Sequence, residues 1–148
     1  MRRNRLALFL HLVWATWDRL PMLAPEIERP VQRCLAAELQ ALKAEVLALN
    51  GMPDHVHVVL RLPATVAIAD LVKQIKGASS RFVNAELRPE AQFKWQGSYG
   101  AFTVGQGELD RVIAYVRRQK EHHAEGGLWP EFEATFEEFE PPANAASV

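Results

Sequence analysis

One cysteine, Cys34, is the only thiol among 148 residues, so no intrachain disulfide can form and stability must come from a packed core. The same scarcity fits a reducing compartment, and a cytoplasmic location is the expectation. No apolar run approaches the roughly 20 residues that cross a bilayer, so no membrane partner is expected. The basic start, Met1-Arg2-Arg3-Asn4-Arg5 followed by Leu6 to Leu10, superficially resembles a signal peptide, but His11 interrupts the run and no persuasive cleavage site follows. None of the 8 glycines sits in a phosphate-binding pattern, which argues against a nucleotide cofactor. Lys and Arg are missing after residue 120. Residues 1 to 120 hold all 17 of them against 11 Asp and Glu, a balance of +6, whereas residues 121 to 148 hold 7 Glu and balance at −7. The net charge of −1 therefore hides a basic body of the kind that suits a polyanion such as nucleic acid.

With 49% hydrophobic residues, the chain is long enough for one domain with a real core and too short for two. Residues 1–140 are expected to form that domain, with a short acidic helix at about 129–140 carrying Phe132, Phe136 and Phe139, and a flexible tail at 141–148. The stretch around which the rest is organised is Met52-Pro53-Asp54-His55-Val56-His57-Val58-Val59-Leu60-Arg61-Leu62-Pro63. Strand side chains alternate between faces, so His55 and His57 share one face while Val56, Val58, Leu60 and Leu62 share the other. The apolar face goes to the core, and the imidazoles are expected on the uncovered side. Two imidazoles side by side on a rigid strand make half of a divalent-metal site.

Taken in order, residues 6 to 17 read as a long strand, and Ile27, Val31, Leu35, Leu39 and Leu42 recur at helical spacing from about Pro25 to Lys43. Val46 to Leu49 reads as a short strand, and Asn50-Gly51 as a tight-turn signal before the histidine strand. Ile68 to about Leu87 is a second helix, and residues 93 to 104 read as strand, glycine-punctuated turn, strand, with aromatics that could stack on bases. Residues 108 to 123 form a third helix. This order predicts an α+β, ferredoxin-like (RRM-like) split βαβ fold, with two helices on one face of an antiparallel sheet and an extra C-terminal helix.

That extra helix supplies candidates for the other half of the site. Tyr115 and Gln119 are four apart and share a face, with His122 a further turn along. Laid across the open sheet face, the helix would bring a phenol and an amide oxygen beside the two imidazoles, a nucleophile and a third metal ligand. The combination of Met-Pro-Asp-His-Val-His at 52 to 57, the Trp95 to Val104 segment, Tyr115 with Gln119 and His122-His123, together with His11-Leu12-Val13-Trp14, Arg19, Pro21 and Leu71 to Asn84, resembles the single-tyrosine HUH transposases of the smallest insertion sequences, the IS200-like group.

The resemblance covers about residues 6 to 125 and implies metal-dependent cleavage and strand transfer on single-stranded DNA. It implies that His55, His57 and Gln119 hold Mg²⁺ or Mn²⁺, and that Tyr115 attacks the scissile phosphorus to leave a 5′-phosphotyrosine link. A homodimer and recognition of hairpins at mobile-element ends are implied as well. A phenol with pKa near ~10 is about one part in a thousand ionised at neutral pH, so it needs a base or a cation to act. Exchanging one phosphodiester for another conserves bond energy, which fits the want of a nucleotide site. His11, Arg19, Lys73, Lys76, Arg81, Arg117 and Arg118 are candidate DNA contacts, and His122 a candidate for tuning the site.

Bland alternatives exist for each residue. Tyr99 is the rival nucleophile, but Thr103 stands four residues on, where Tyr115 has Gln119. A histidine-triad nucleotide hydrolase also alternates histidines on a strand, but Val59 occupies the third place here. A non-catalytic nucleic-acid-binding module would explain the basic body and the aromatics but not Tyr115 with Gln119.

Overall fold

A computed structural model of the chain describes residues 3–126. The expected acidic helix at 129–140 and the tail at 141–148 lie outside the described residues, as do the side chains of His122 and Glu125. Strand β1 runs Phe9–Ala15, helix α1 Pro25–Ala41, β2 Glu45–Met52, β3 His55–Arg61, α2 Ile68–Phe82 with a wider turn at Val83–Leu87, and β4 Gly100–Val104. Two helices follow, α3 Leu109–Arg117 and α4 Gln119–Glu125. The strands form one sheet in the order β2-β3-β1-β4 with every pairing antiparallel, the ferredoxin-like arrangement expected.

Register decides which residues share a face. His57 lies opposite Val13 and His55 opposite Ala15, so these residues and His11 project to one side. Leu10, Leu12, Trp14, Val56, Val58 and Leu60 project to the other, where α1 contributes Ile27, Val31, Leu35 and Leu39 and α2 contributes Leu71, Val72 and Ile75. These side chains form the main core.

The histidine face, which α1 and α2 leave uncovered, is closed by the extra C-terminal helix. Helix α3 lies across it and builds a second core from Ala48, Val59, Val104, Val112, Tyr115 and Val116. Val59, one alternation beyond His57, is the reason: this face also carries apolar surface that has to be removed from water. The central strands β1 and β3 are consequently buried on both faces, which explains their near-continuous apolar runs.

Three details depart from expectation. Strand β2 runs through Asn50-Gly51, and the chain reverses at Pro53-Asp54 instead. The predicted third helix breaks at Arg118, whose backbone (φ −101, ψ 24) leaves the helical region. Ahead of β4 only Trp95 bridges to Thr16, and Phe93 and Trp95 are buried in the main core, not exposed for stacking. Their segment is held by side chains acting as strand partners. Asn84 clasps both the N–H and the carbonyl of Phe93, Ser79 accepts the Trp95 indole N–H at 2.9 Å, and Gln96 Oε1 accepts Ala15 N–H at 2.6 Å.

Gly51 is explained by close approach. A Cβ there would stand 2.4 Å from the His55 carbonyl oxygen and 3.1 Å from Val56 Cα, both backbone atoms that cannot give way cheaply. Gly51→Ala is therefore expected to lower unfolding free energy by about 1–3 kcal/mol, read as a lower urea midpoint at unchanged slope. An unchanged midpoint would show that the β2–β3 hairpin tolerates the side chain.

Candidate active site

The candidate site is assembled from three elements. Strand β3 delivers His55 and His57, with ring centroids 5.1 Å apart, α3 delivers Tyr115, and α4 delivers Gln119. All four side chains are almost wholly buried. The Tyr115 ring sits edge-on to His57 at 6.2 Å, and Gln119 Oε1 lies 3.4 Å from His55 Nε2. Tyr115 thus reaches the histidines of its own chain.

Tautomers follow from the partners. Asp54 Oδ1 lies 2.6 Å from His55 Nδ1, and a carboxylate only accepts, so the imidazole places its proton on Nδ1. The Nε2 lone pair then faces the Gln119 oxygen, and neither atom can donate to the other. Gln119 Oε1 is oriented by His123, whose Nε2 lies 2.8 Å away. His57 Nδ1 lies 2.8 Å from His11 Nε2, so the two rings share one proton between these nitrogens. Two imidazoles beside an amide oxygen have the donor types that fit a divalent cation, and the Asp54–His55 pair is the carboxylate–imidazole support such sites use.

Electrostatics at the rim centre on Asp54. Burial pushes its carboxyl up, but the hydrogen bond from His55, with the charge and hydrogen bond of Arg19, outweighs burial and holds it below the usual carboxylate range. Arg19 Nε donates to Asp54 Oδ2 at 3.3 Å, and its Nη2 approaches His55 Nδ1 at 3.4 Å. Two donors cannot bond each other, so that approach is held by the carboxylate they share.

The helix pair is tied down where it breaks. Asn50 Nδ2 donates to the Arg117 carbonyl at 2.9 Å, capping α3, while Lys120 donates to Asn50 Oδ1 and to the Gly51 carbonyl and pairs with Glu28. The break places Tyr115 and Gln119 on successive short helices.

The remaining candidates fall in three places. His11 is fully buried behind His57, and Arg19 is exposed at the rim beside Asp54. Lys73, Lys76 and Arg81 lie on α2, on the opposite side of the sheet; burial lowers the Lys76 pKa, and its ammonium donates to the carbonyls of Gln96 and Ser98. Arg117 and Arg118 flank the helix break, where Arg117 reaches the Leu47 carbonyl and Arg118 pairs with Glu121. Tyr99 packs against the main core, on the side away from the histidines. Sequence reasoning missed the pairing of His11 with His57, the support from Asp54 and the role of His123. Of these only His123 carried a signal, its position four residues after Gln119.

Comparisons with known proteins agree with the fold. The family model described as "Transposase IS200 like" matches residues 5–119. The ISDra2 transposase TnpA of Deinococcus radiodurans is 30% identical over 115 residues, covering 74% of this chain and 81% of that protein. A crystal structure assigned to a transposase from Deinococcus radiodurans superposes with a TM-score of 0.63 at 29% identity, covering 80% of this chain and 98% of the other. A REP-associated tyrosine transposase solved with a REP hairpin superposes at a TM-score of 0.62 over 100% of this chain and 99% of the other; at 12% identity that likeness concerns the fold alone. A family match that spans β1 to the first residue of α4, and so takes in both histidines, Tyr115 and Gln119, makes this chain a member of the IS200-like transposase family.

Proposed function

We propose that this transposase cleaves and rejoins single-stranded DNA through a 5′-phosphotyrosine link on Tyr115, with residues 1–140 acting as one domain. The observation that carries the reading is the convergence of Tyr115, His55, His57 and Gln119 from three elements into one buried cluster. In the step we infer, the Tyr115 phenolic oxygen forms a bond to the scissile phosphorus, the phosphorus–O3′ bond breaks, and the departing oxygen takes a proton to become a 3′-hydroxyl. The phenolic proton is lost, and reversal of the same exchange rejoins a strand.

His55, His57 and Gln119 would hold Mg²⁺ or Mn²⁺. When bound, the cation supplies Lewis-acid neutralisation of charge on the phosphate. The protein's own contribution is orientation and exclusion of water. Asp54 fixes His55, His11 fixes His57, and the second core seats the Tyr115 ring, so little freedom is left to lose when a phosphate arrives. Exposed Arg19, Arg117 and Arg118 on the histidine side and Lys73, Lys76 and Arg81 on α2 are our candidates for backbone contacts. A DNA hairpin as ligand is supported by the REP hairpin held by a transposase of the same fold, and a homodimer is part of the same reading. A cytoplasmic location goes with it; among the described residues no helix is long and apolar enough to cross a membrane.

Incubated with Mg²⁺ or Mn²⁺ and single-stranded hairpin oligonucleotides, the protein is expected to form a covalent adduct stable to denaturing electrophoresis. Tyr115→Phe should lose the adduct and keep hairpin binding. An adduct that survives Tyr115→Phe and disappears in Tyr99→Phe would overturn the assignment, and binding without cleavage under any metal would instead mark a non-catalytic module. Asp54→Asn offers a separate check on the metal reading. It should weaken Mn²⁺ binding about 10- to 100-fold by calorimetry, with the fold intact by circular dichroism. Unaltered affinity would remove Asp54, and the His55 tautomer it fixes, from the site.

A further inference from the structure

The turn between β1 and α1 is built in an unusual way and stands at the rim of the cluster. Asp18 (φ 51) and Arg19 (φ 49) both take left-handed backbone, a conformation that costs a side-chain-bearing residue energy and needs external support. The support comes from the strand end carrying the histidines. Thr16 N–H donates to the Asp54 carbonyl at 2.9 Å, and Leu23 N–H donates to the Pro53 carbonyl at 2.9 Å. The strained turn carries Arg19 to Asp54 and His55.

The same turn presents Trp17. Trp14 and Trp95 are core residues, whereas Trp17 is 49% exposed, the one solvent-facing tryptophan among the described residues. It is not loose. Its backbone N–H donates to the Lys94 carbonyl at 2.9 Å, and Lys94 Nζ lies 3.9 Å from the ring centroid, over one face. Lys94 also lines a cavity of about 380 Å³ with Lys73, Lys76 and Tyr99. A rigid indole clasped by a cation, two residues from the arginine that touches the metal-ligand histidine, has the composition of a single-strand stacking site: an aromatic face for a base and cations for its phosphates.

We propose that Trp17, with Lys94 and Arg19 beside it, is a stacking subsite for an unpaired base of single-stranded DNA next to the scissile phosphate. This rests on the strand-transfer reading and adds to it where an unpaired nucleotide is seated. Stacking is indifferent to base identity, so the subsite contributes affinity and register more than sequence choice.

The test is fluorescence anisotropy with a labelled 20-nucleotide oligothymidine and a length-matched abasic oligomer. Trp17→Ala should weaken oligothymidine binding by about 5- to 100-fold, the order of one base–aromatic stack, and leave abasic binding as in the wild type. Trp17→Phe should restore most of the loss, because a smaller ring still offers a face. Lys94→Met should weaken both oligomers and flatten the dependence of affinity on salt. Trp17→Ala binding oligothymidine as tightly as the wild type, or losing affinity equally for the abasic oligomer, would overturn the subsite. Wild-type protein with no affinity for either oligomer would overturn it too, while the tyrosyl adduct assay judges the strand-transfer reading separately.

Discussion

Burying five polar side chains beneath a helix is the constraint on which this molecule depends. His11, His55, His57, Tyr115 and Gln119 are all but inaccessible to water, and a buried polar group without a partner costs on the order of 1–3 kcal/mol. The groups answer one another: Asp54 to His55, His11 to His57, His123 to Gln119. These bonds set tautomers and ring planes as well as satisfying donors. His55 Nε2 and Gln119 Oε1 face each other at 3.4 Å, which brings the strand half and the helix half of the cluster together.

The second core makes that burial possible. A strict alternation of apolar and polar residues on β3 would have left the histidine face wet, but Val59 on β3, Ala48 on β2 and Val104 on β4 give α3 something to pack on. Helix α3 seats Tyr115, and the break at Arg118 then lets α4 turn Gln119 and His123 down towards His55. Asn50 and Lys120 hold the break against the end of β2. Sheet and helix pair are therefore coupled at two points, the apolar seam and the polar tie, and the placement of Tyr115 and Gln119 relative to the two histidines depends on both.

Much of this was legible in the sequence. The order of elements follows from hydrophobic periodicity, and the pairing of His55 with His57 from strand alternation. The spacing of Tyr115 and Gln119 marked them as one helical face, and they do meet the histidines although the helix breaks between them. Register was not legible. His11 and His57 are 46 residues apart, and they touch because β1 and β3 pair with Val59 opposite His11. Asn50-Gly51 imitates a turn signal, but glycine is required there by the nearness of the His55 carbonyl, and the reversal falls to Pro53-Asp54. Trp17 reads in the sequence as the end of the first strand, but that strand stops at Ala15, and the exposure of the indole is a property of the strained turn that presents it.

The central claim is that the phenol beside the buried histidines is the group that takes the DNA. Trypsin cuts after Lys94, Arg111 and Arg117, so Tyr99 and Tyr115 fall on different peptides, 95–111 and 112–117. Digestion of the covalent adduct with nuclease and trypsin, followed by mass spectrometry, should find the nucleotide remnant on peptide 112–117. A remnant on peptide 95–111, with 112–117 recovered unmodified, would contradict the assignment.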